Sequence, residues 1–183
     1  MRCWTSPGLR CGFTLIELIV TISIVAILAA IALPSFGTSI RNSRVTSQAN
    51  NLVTAINLAR SEAVTRTRGI SVCAADTTAG APATCGGTGD WAKGWVVFMD
   101  DTAGAVAPAA IPAASVLRVW IATPKTTVTA AKNFLRFNTR GENVVAADVD
   151  LTIVPSEACT GDQQRLVNVS PMGQANVKRE PCP

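Results

Sequence analysis

Residues 12–36 read GFTLIELIVTISIVAILAAIALPSF, an almost wholly apolar run with one charge, Glu17. From Phe13 to Phe36 it is long enough to cross a bilayer, which takes about 20 apolar residues. A secretory signal, a plain anchor, and a transported subunit that keeps its apolar helix and packs it against other copies are the three readings. The first would use Arg2 and Arg10 as its basic region and Ala30-Ile31-Ala32 as a small-residue cleavage site. Flanking charge does not separate them, because Arg2 and Arg10 on one side face Arg41 and Arg44 on the other. Glu17 does. A charge near the middle of a membrane costs about 2.5–3.5 kcal/mol on insertion scales and usually marks function. A disposable signal gains nothing from it, whereas a helix that must find a partner does.

Working outward, the chain has 183 residues, enough for one domain with a real core. Hydrophobic residues make up 48% and charged residues 15%, and part of that excess is the opening run. The formal charge of +4 is too small to imply nucleic acid or acidic lipid by itself. There is no His and no Tyr, so histidine-dependent catalysis and histidine metal sites are excluded.

Gly12-Phe13-Thr14-Leu15-Ile16-Glu17-Leu18 resembles the type IV prepilin processing motif. The resemblance implies a dedicated prepilin peptidase that cuts after Gly12 on the cytoplasmic side, followed by methylation of the new N-terminus at Phe13. It also implies that Glu17 pairs with the N-terminal amine of a neighbouring subunit during filament assembly. The family usually carries Lys or Arg before the glycine; here Cys11 stands there, with Arg10 one position earlier. The pairing is physically sound, since an isolated carboxylate in lipid tends to take up a proton and an opposite charge favours its ionised form. A Glu17 that stays neutral and only tunes insertion is the competing reading.

Beyond the run, Phe36, Ile40, Val45, Ala49, Leu52, Ile56, Ala59 and Ala63 recur mostly at three- or four-residue intervals, the period of one helical face. Arg41, Arg44, Asn50, Asn57, Arg60 and Glu62 fill much of the other surface. One long helix from Phe13 to about Arg66 is expected, weakened near Pro34. After Thr67-Arg68-Gly69, β-branched runs alternate with Gly, Pro, Asn and Asp clusters. Expected strands are Ile70–Ala74, Trp95–Met99, Val116–Ile121, Phe134–Phe137, Leu151–Val154, Leu166–Ser170 and Ala175–Lys178, with loops at Asp76–Asp90 and Thr102–Ala114. The fold class is α+β: a long N-terminal helix, membrane-spanning then amphipathic, packed on an antiparallel sheet or a small two-sheet head. Its divisions are a leader (1–12), a transmembrane and filament-core helix (13–36), an amphipathic continuation (37–66) and the head (67–183).

Cys3 and Cys11 lie in the leader, leaving Cys73, Cys85, Cys159 and Cys182 in the head. An even number in an exported domain suggests disulfides, and four cysteines allow three pairings. Cys73–Cys85 would close an Ala/Gly-rich loop and Cys159–Cys182 would pin the C-terminal strands. Zinc is the rival, but C-x-x-C spacing and His are both absent.

Leu58-Ala59-Arg60-Ser61-Glu62-Ala63, Gly89-Asp90-Trp91 and Gly94-Trp95-Val96-Val97-Phe98-Met99-Asp100 resemble the GspH/FimT (FimT/FimU-like) branch of minor pilins and pseudopilins. So does the ending, with Phe137 before Gly141, then Val169-Ser170-Pro171-Met172-Gly173 and a final cysteine. On physical grounds Trp91, Trp95 and Phe98 are core aromatics, and Gly94, Gly141 and Gly173 are turn residues.

No reaction suggests itself. Gly86-Gly87-Thr88-Gly89 lacks the Lys-Ser/Thr that completes a phosphate-binding loop. Asp100-Asp101 lacks an EF-hand pattern and reads as a solvated turn. No cofactor or metal is implied. Three non-catalytic roles follow from the resemblance: a minor pilin that primes or caps a type IV pilus, a tip pseudopilin of a type II secretion system, and a pilin for DNA uptake. Expected partners are the prepilin peptidase, other minor and major pilins or pseudopilins, and the bacterial inner membrane, with the head in the periplasm before assembly into the filament. Some FimT-like proteins bind DNA through a G-R-x-R tail; the matching Gly173-Gln174-Ala175-Asn176 lacks both arginines. Lys178 and Arg179 are the remaining candidates, with Arg140 and Arg165 as further members of a patch. DNA is therefore not the favoured partner.

Overall fold

The computed structural model describes residues 13–102, 104–145 and 148–183, with the backbone alone at 31–35. The proposed leader, Gly12 included, lies outside the described residues. The chain divides into two compact units, Met1–Ser39 and Ile40–Pro183.

One helix, α1 (Leu15–Arg66), contributes to both units, and its assignment continues through Pro34. In the first unit its apolar side chains are exposed, from Leu15 at 78% to Leu28 at 62%. Among the described residues, no helix is long and apolar enough to cross a membrane. The side chains of 31–35, within the run, are outside that set.

In the second unit α1 buries Val45, Ala49, Leu52, Ala55, Ile56, Ala59 and Ala63. Small residues alternate with Leu and Ile, so the backbone approaches the sheets closely while the larger side chains fill the gaps. Two residues expected on this stripe are not on it: Phe36 is 64% and Ile40 50% exposed. Apolar periodicity ran on past the end of the packed face, because the lipid-type run and the core stripe share one helical period. Gln48, fully buried, belongs to the packed face instead and accepts the Thr123 N–H at 2.7 Å.

Eight strands follow: β1 (Ile70–Ala74), β2 (Gly94–Met99), β3 (Val116–Ile121), β4 (Thr126–Ala130), β5 (Phe134–Phe137), β6 (Val149–Pro155), β7 (Gln164–Val169) and β8 (Ala175–Glu180). They form two four-stranded sheets, ordered β3-β2-β1-β5 and β4-β6-β7-β8, and every pairing is antiparallel. The fold is α+β. β4 was not expected from sequence. It reads TTVTA, with Val128 as its one large apolar side chain, and it is placed by pairing with β6. Within the expected loop at 76–90, a short 3-10 turn begins at Thr88, and the Asp90 carboxylate accepts the Gly87 N–H at 2.7 Å.

One core joins the helix stripe to Ile70, Val72, Trp91, Trp95, Leu135 and Phe137 near the first sheet and to Val128, Leu151, Ile153 and Val167 of the second. β1 is buried on both sides. The outer face of its sheet carries a second cluster with Cys73, Val96, Phe98, Ile111 and Phe134. Each fully buried large apolar side chain contributes about 1.5–3 kcal/mol.

Candidate functional site

The amino-terminal segment is built from the cap inward. Thr14 precedes the helix; its Oγ1 accepts the Glu17 N–H at 3.3 Å and its carbonyl accepts the Leu18 N–H at 3.2 Å. Thr14-x-x-Glu17 is the sequence of a capping box, and half of the box is present here. Glu17 also lies in the first helical turn, where the helix dipole favours an acid. Phe13, the first described residue, is 83% exposed. A carboxylate at the start of an exposed apolar helix surface is therefore the first feature of the site. Such a surface needs lipid or neighbouring chains to cover it.

Two disulfides tie the second unit. Cys73 on β1 joins Cys85, with Cα atoms 5.6 Å apart, and Cys159 joins Cys182 at 5.8 Å. The Cys182 N–H also donates to the Gly161 carbonyl at 2.9 Å, so the chain after β8 is held to the 159–163 loop.

A buried polar cluster was not foreseen. Asp100 does not sit in a solvated turn: it is 6% exposed and ion-paired with Arg136, itself 2% exposed. The Arg136 Nε donates to Asp100 Oδ2 at 2.9 Å, and the Ser71 hydroxyl donates to the same oxygen at 2.6 Å. Arg136 Nη1 reaches the Gly104 carbonyl at 2.5 Å, which fastens the following loop. Burial pushes the Asp100 carboxyl up, but bonds from Ser71, Thr102 and Arg136 outweigh it and hold the group below the ordinary carboxylate value. Asp101 points outward and pairs with Arg68. In the sequence, Arg136 looked like one residue of an apolar strand, FLRF, and nothing marked its partner 36 positions away.

Of the candidate DNA-binding residues, Arg165 and Arg179 stand opposite each other on β7 and β8, but the four do not form one accessible patch. Lys178 and Arg179 are both exposed neighbours on β8, and successive strand residues point to opposite faces. Arg165 is 5% exposed and donates to Asn42 Oδ1 at 2.6 Å and Thr46 Oγ1 at 3.3 Å. Arg140 is exposed but paired with Glu142 at 2.9 Å. Trp91, Trp95 and Phe98 are buried, and Gly94, Gly141 and Gly173 all have positive φ. At Gly173 a Cβ would collide with the Gly141 carbonyl, so the position needs glycine for space as well as for φ.

A long helix that buries its second half against antiparallel sheets, with its apolar first half exposed, defines a pilin-type structural subunit. The family model described as Type II transport protein GspH matches residues 48–173, and that described as the prokaryotic N-terminal methylation motif matches residues 9–33. The chain belongs to the GspH family, within the type IV minor pilins and pseudopilins. Two crystal structures of the type IV minor pilin FimU of Pseudomonas aeruginosa share the fold. Both are 22% identical to the chain. One has a TM-score of 0.51 over 73% of this chain and 91% of its own, and the other 0.53 over 76% and 90%. No curated protein sequence matches.

Proposed function

We propose that the chain is a minor pilin that helps initiate or cap type IV pilus assembly. In this reading the prepilin peptidase cuts between Gly12 and Phe13, and the new N-terminus is methylated. The apolar part of α1 holds the chain in the bacterial inner membrane, with the head in the periplasm, until it enters the filament. There Glu17 pairs with the terminal ammonium of a neighbouring subunit, which fixes axial register. The observation that carries the reading is the exposed apolar helix surface, headed by Phe13 and Glu17, on a chain whose head already has a complete core.

The test compares fractions. Glu17→Ala should enter the membrane at least as well as the unaltered chain, because it removes a carboxylate from the apolar run. It should be depleted from sheared filaments, because the neighbour's amine loses its counter-ion. Normal filament incorporation would remove the pairing role. Intact mass of the membrane-derived protein should correspond to a chain that begins at Phe13; a chain that begins at Leu33 would restore the ordinary signal peptide.

A second reading, a tip pseudopilin of a type II secretion system, is favoured by the description of the matching family. Deletion of the gene separates the two. A priming minor pilin leaves few or no surface pili and normal secretion, whereas a pseudopilin leaves pili intact and exported enzymes trapped in the periplasm.

A further inference from the structure

Sheet β4-β6-β7-β8 collects positive charge at one end. Register places Thr126 opposite Pro155, Ile153 opposite Arg165 and Arg165 opposite Arg179. Lys125, just before β4, Arg165 at the start of β7 and Arg179 near the end of β8 therefore share that end. Four strands at about 4.8 Å spacing make the row roughly 14 Å wide. The other end carries Asp150, opposite Asn168.

The helix adds to the row. Arg165 reaches Asn42 and Thr46 on α1. On the other flank Glu157, which pairs with Lys125 at 2.8 Å, also feels Arg44 and Arg41. Five cations thus stand at this end with three carboxylates, Glu157, Asp162 and Glu180, the last bonded to Gln164 at 2.8 Å.

The arrangement carries a cost that Asp162 offsets only in part. Arg165 and Arg179 are directly opposite on neighbouring strands, where like charges destabilise. Arg165 is buried, its bonds go to neutral oxygens, and among the described residues neither arginine makes an ion pair. Burial first, and then Arg179, lowers the Arg165 pKa. An anion beside exposed Arg179 would offset the repulsion and supply its guanidinium with a charge-assisted hydrogen bond.

We infer that the accessible part of this row, Arg41, Arg44, Lys125 and Arg179 in front of buried Arg165, rests on anionic phospholipid headgroups before the subunit enters a filament. The inference depends on the membrane anchoring proposed above. Arg41 is five residues beyond Phe36, the end of the apolar run. Five residues span about 7.5 Å as helix and at most about 18 Å extended. The chain therefore cannot carry Arg41 beyond the headgroup zone and its adjacent water layer. Headgroups of net negative charge there attract each basic residue by roughly fivefold in affinity. Contact of this strength is reversible and screened by salt, which suits a subunit that must later be withdrawn from the bilayer.

The mature full chain would be incorporated in nanodiscs of phosphatidylcholine alone and in nanodiscs with about one third phosphatidylglycerol, and hydrogen exchange followed at 41–46, 123–126 and 175–180. Slower exchange of these segments in the anionic discs is expected, with β1 unchanged. High salt should abolish it, and Arg44→Gln with Arg179→Gln should lose most of it while leaving insertion intact. Equal exchange in the two discs would overturn the inference. So would protection conferred by short duplex DNA but not by phosphatidylglycerol, which would assign the row to nucleic acid. Failure of the chain to enter either disc would overturn the anchoring and this inference with it.

Discussion

Removing one partner from the Asp100–Arg136 pair leaves the other charged and dry. Breaking such a pair costs about 3–5 kcal/mol, whereas replacing both members with apolar residues of similar volume is often close to neutral. Asp100→Asn should therefore lower denaturant stability of the detergent-held chain by about 3–5 kcal/mol, and Asp100→Leu with Arg136→Met should recover much of the loss. A double variant as unstable as the single one would show that Ser71 and Gly104 need the charged groups themselves. The pH dependence has a definite sign. The folded value of Asp100 is depressed, so its stabilisation is complete above the unfolded carboxylate value of about 4. It is lost as pH falls through the lower folded value. Acid unfolding should consequently start below pH 4 in the unaltered chain and lose that low-pH component in the double variant. Glu17 offers a second test at this scale. Gln satisfies a capping box as Glu does, so Glu17→Gln keeps the local geometry and removes only the charge. If pairing with a neighbour's ammonium is its role, Glu17→Gln should be as deficient in filaments as Glu17→Ala. Recovery by Gln would reduce Glu17 to a helix cap.

Along α1 the same apolar period serves two environments, and substitution can tell them apart. Leu52 is fully buried, so Leu52→Ala should destabilise the head by about 2–5 kcal/mol. Phe36 is largely exposed, so Phe36→Ala should leave the melting transition of the head in place. A matching loss from Phe36→Ala would mean that the packed stripe begins earlier than Val45. The boundary was illegible in the sequence because a residue facing lipid or a neighbour and a residue facing a core are both apolar, at the same spacing. The strands were more legible where packing was two-sided. Ile70–Ala74 and Phe134–Phe137 stand out as short, mostly apolar runs, and both have those bounds in the structure. β4 did not stand out, since its Thr-rich sequence owes its conformation to a partner strand. The disulfides act at the same scale. The Cys159–Cys182 link closes a 23-residue separation at the end of β8, an edge strand with exposed Val177. The chain-entropy estimate for such a loop is about 3 kcal/mol. Cys159→Ala with Cys182→Ala should raise hydrogen exchange in β8 well before β1. Non-reducing peptide maps should show the two linkages and no crossed pair.

For the whole molecule, charge placement decides between a filament subunit and a nucleic-acid receptor. Binding duplex phosphates strongly takes several cations on one accessible surface, and each released counterion steepens the salt dependence. The net charge of +4 is small, and the C-terminal strand splits its two cations between opposite faces, with Glu180 beside them. Arg165 is committed to α1 and Arg140 to Glu142. What remains accessible is the basic end of sheet β4-β6-β7-β8 with Arg41 and Arg44, and these two follow the apolar run closely in sequence, where a bilayer would compete with any long polyanion. We therefore expect only nonspecific DNA affinity, in the range of about 10⁻⁴–10⁻⁶ M near physiological salt. Gel-shift titration of the detergent-held chain with short duplexes would measure it. Lys178→Ala should change that affinity little, and Arg179→Ala should weaken it modestly, because only Arg179 shares a surface with other cations. Submicromolar binding that disappears in the Lys178→Ala, Arg179→Ala double variant would place DNA uptake above filament initiation. It would also require the edge of β8 to present both faces to the duplex, which a strand against the minor groove of a bent DNA could do and a flat contact could not.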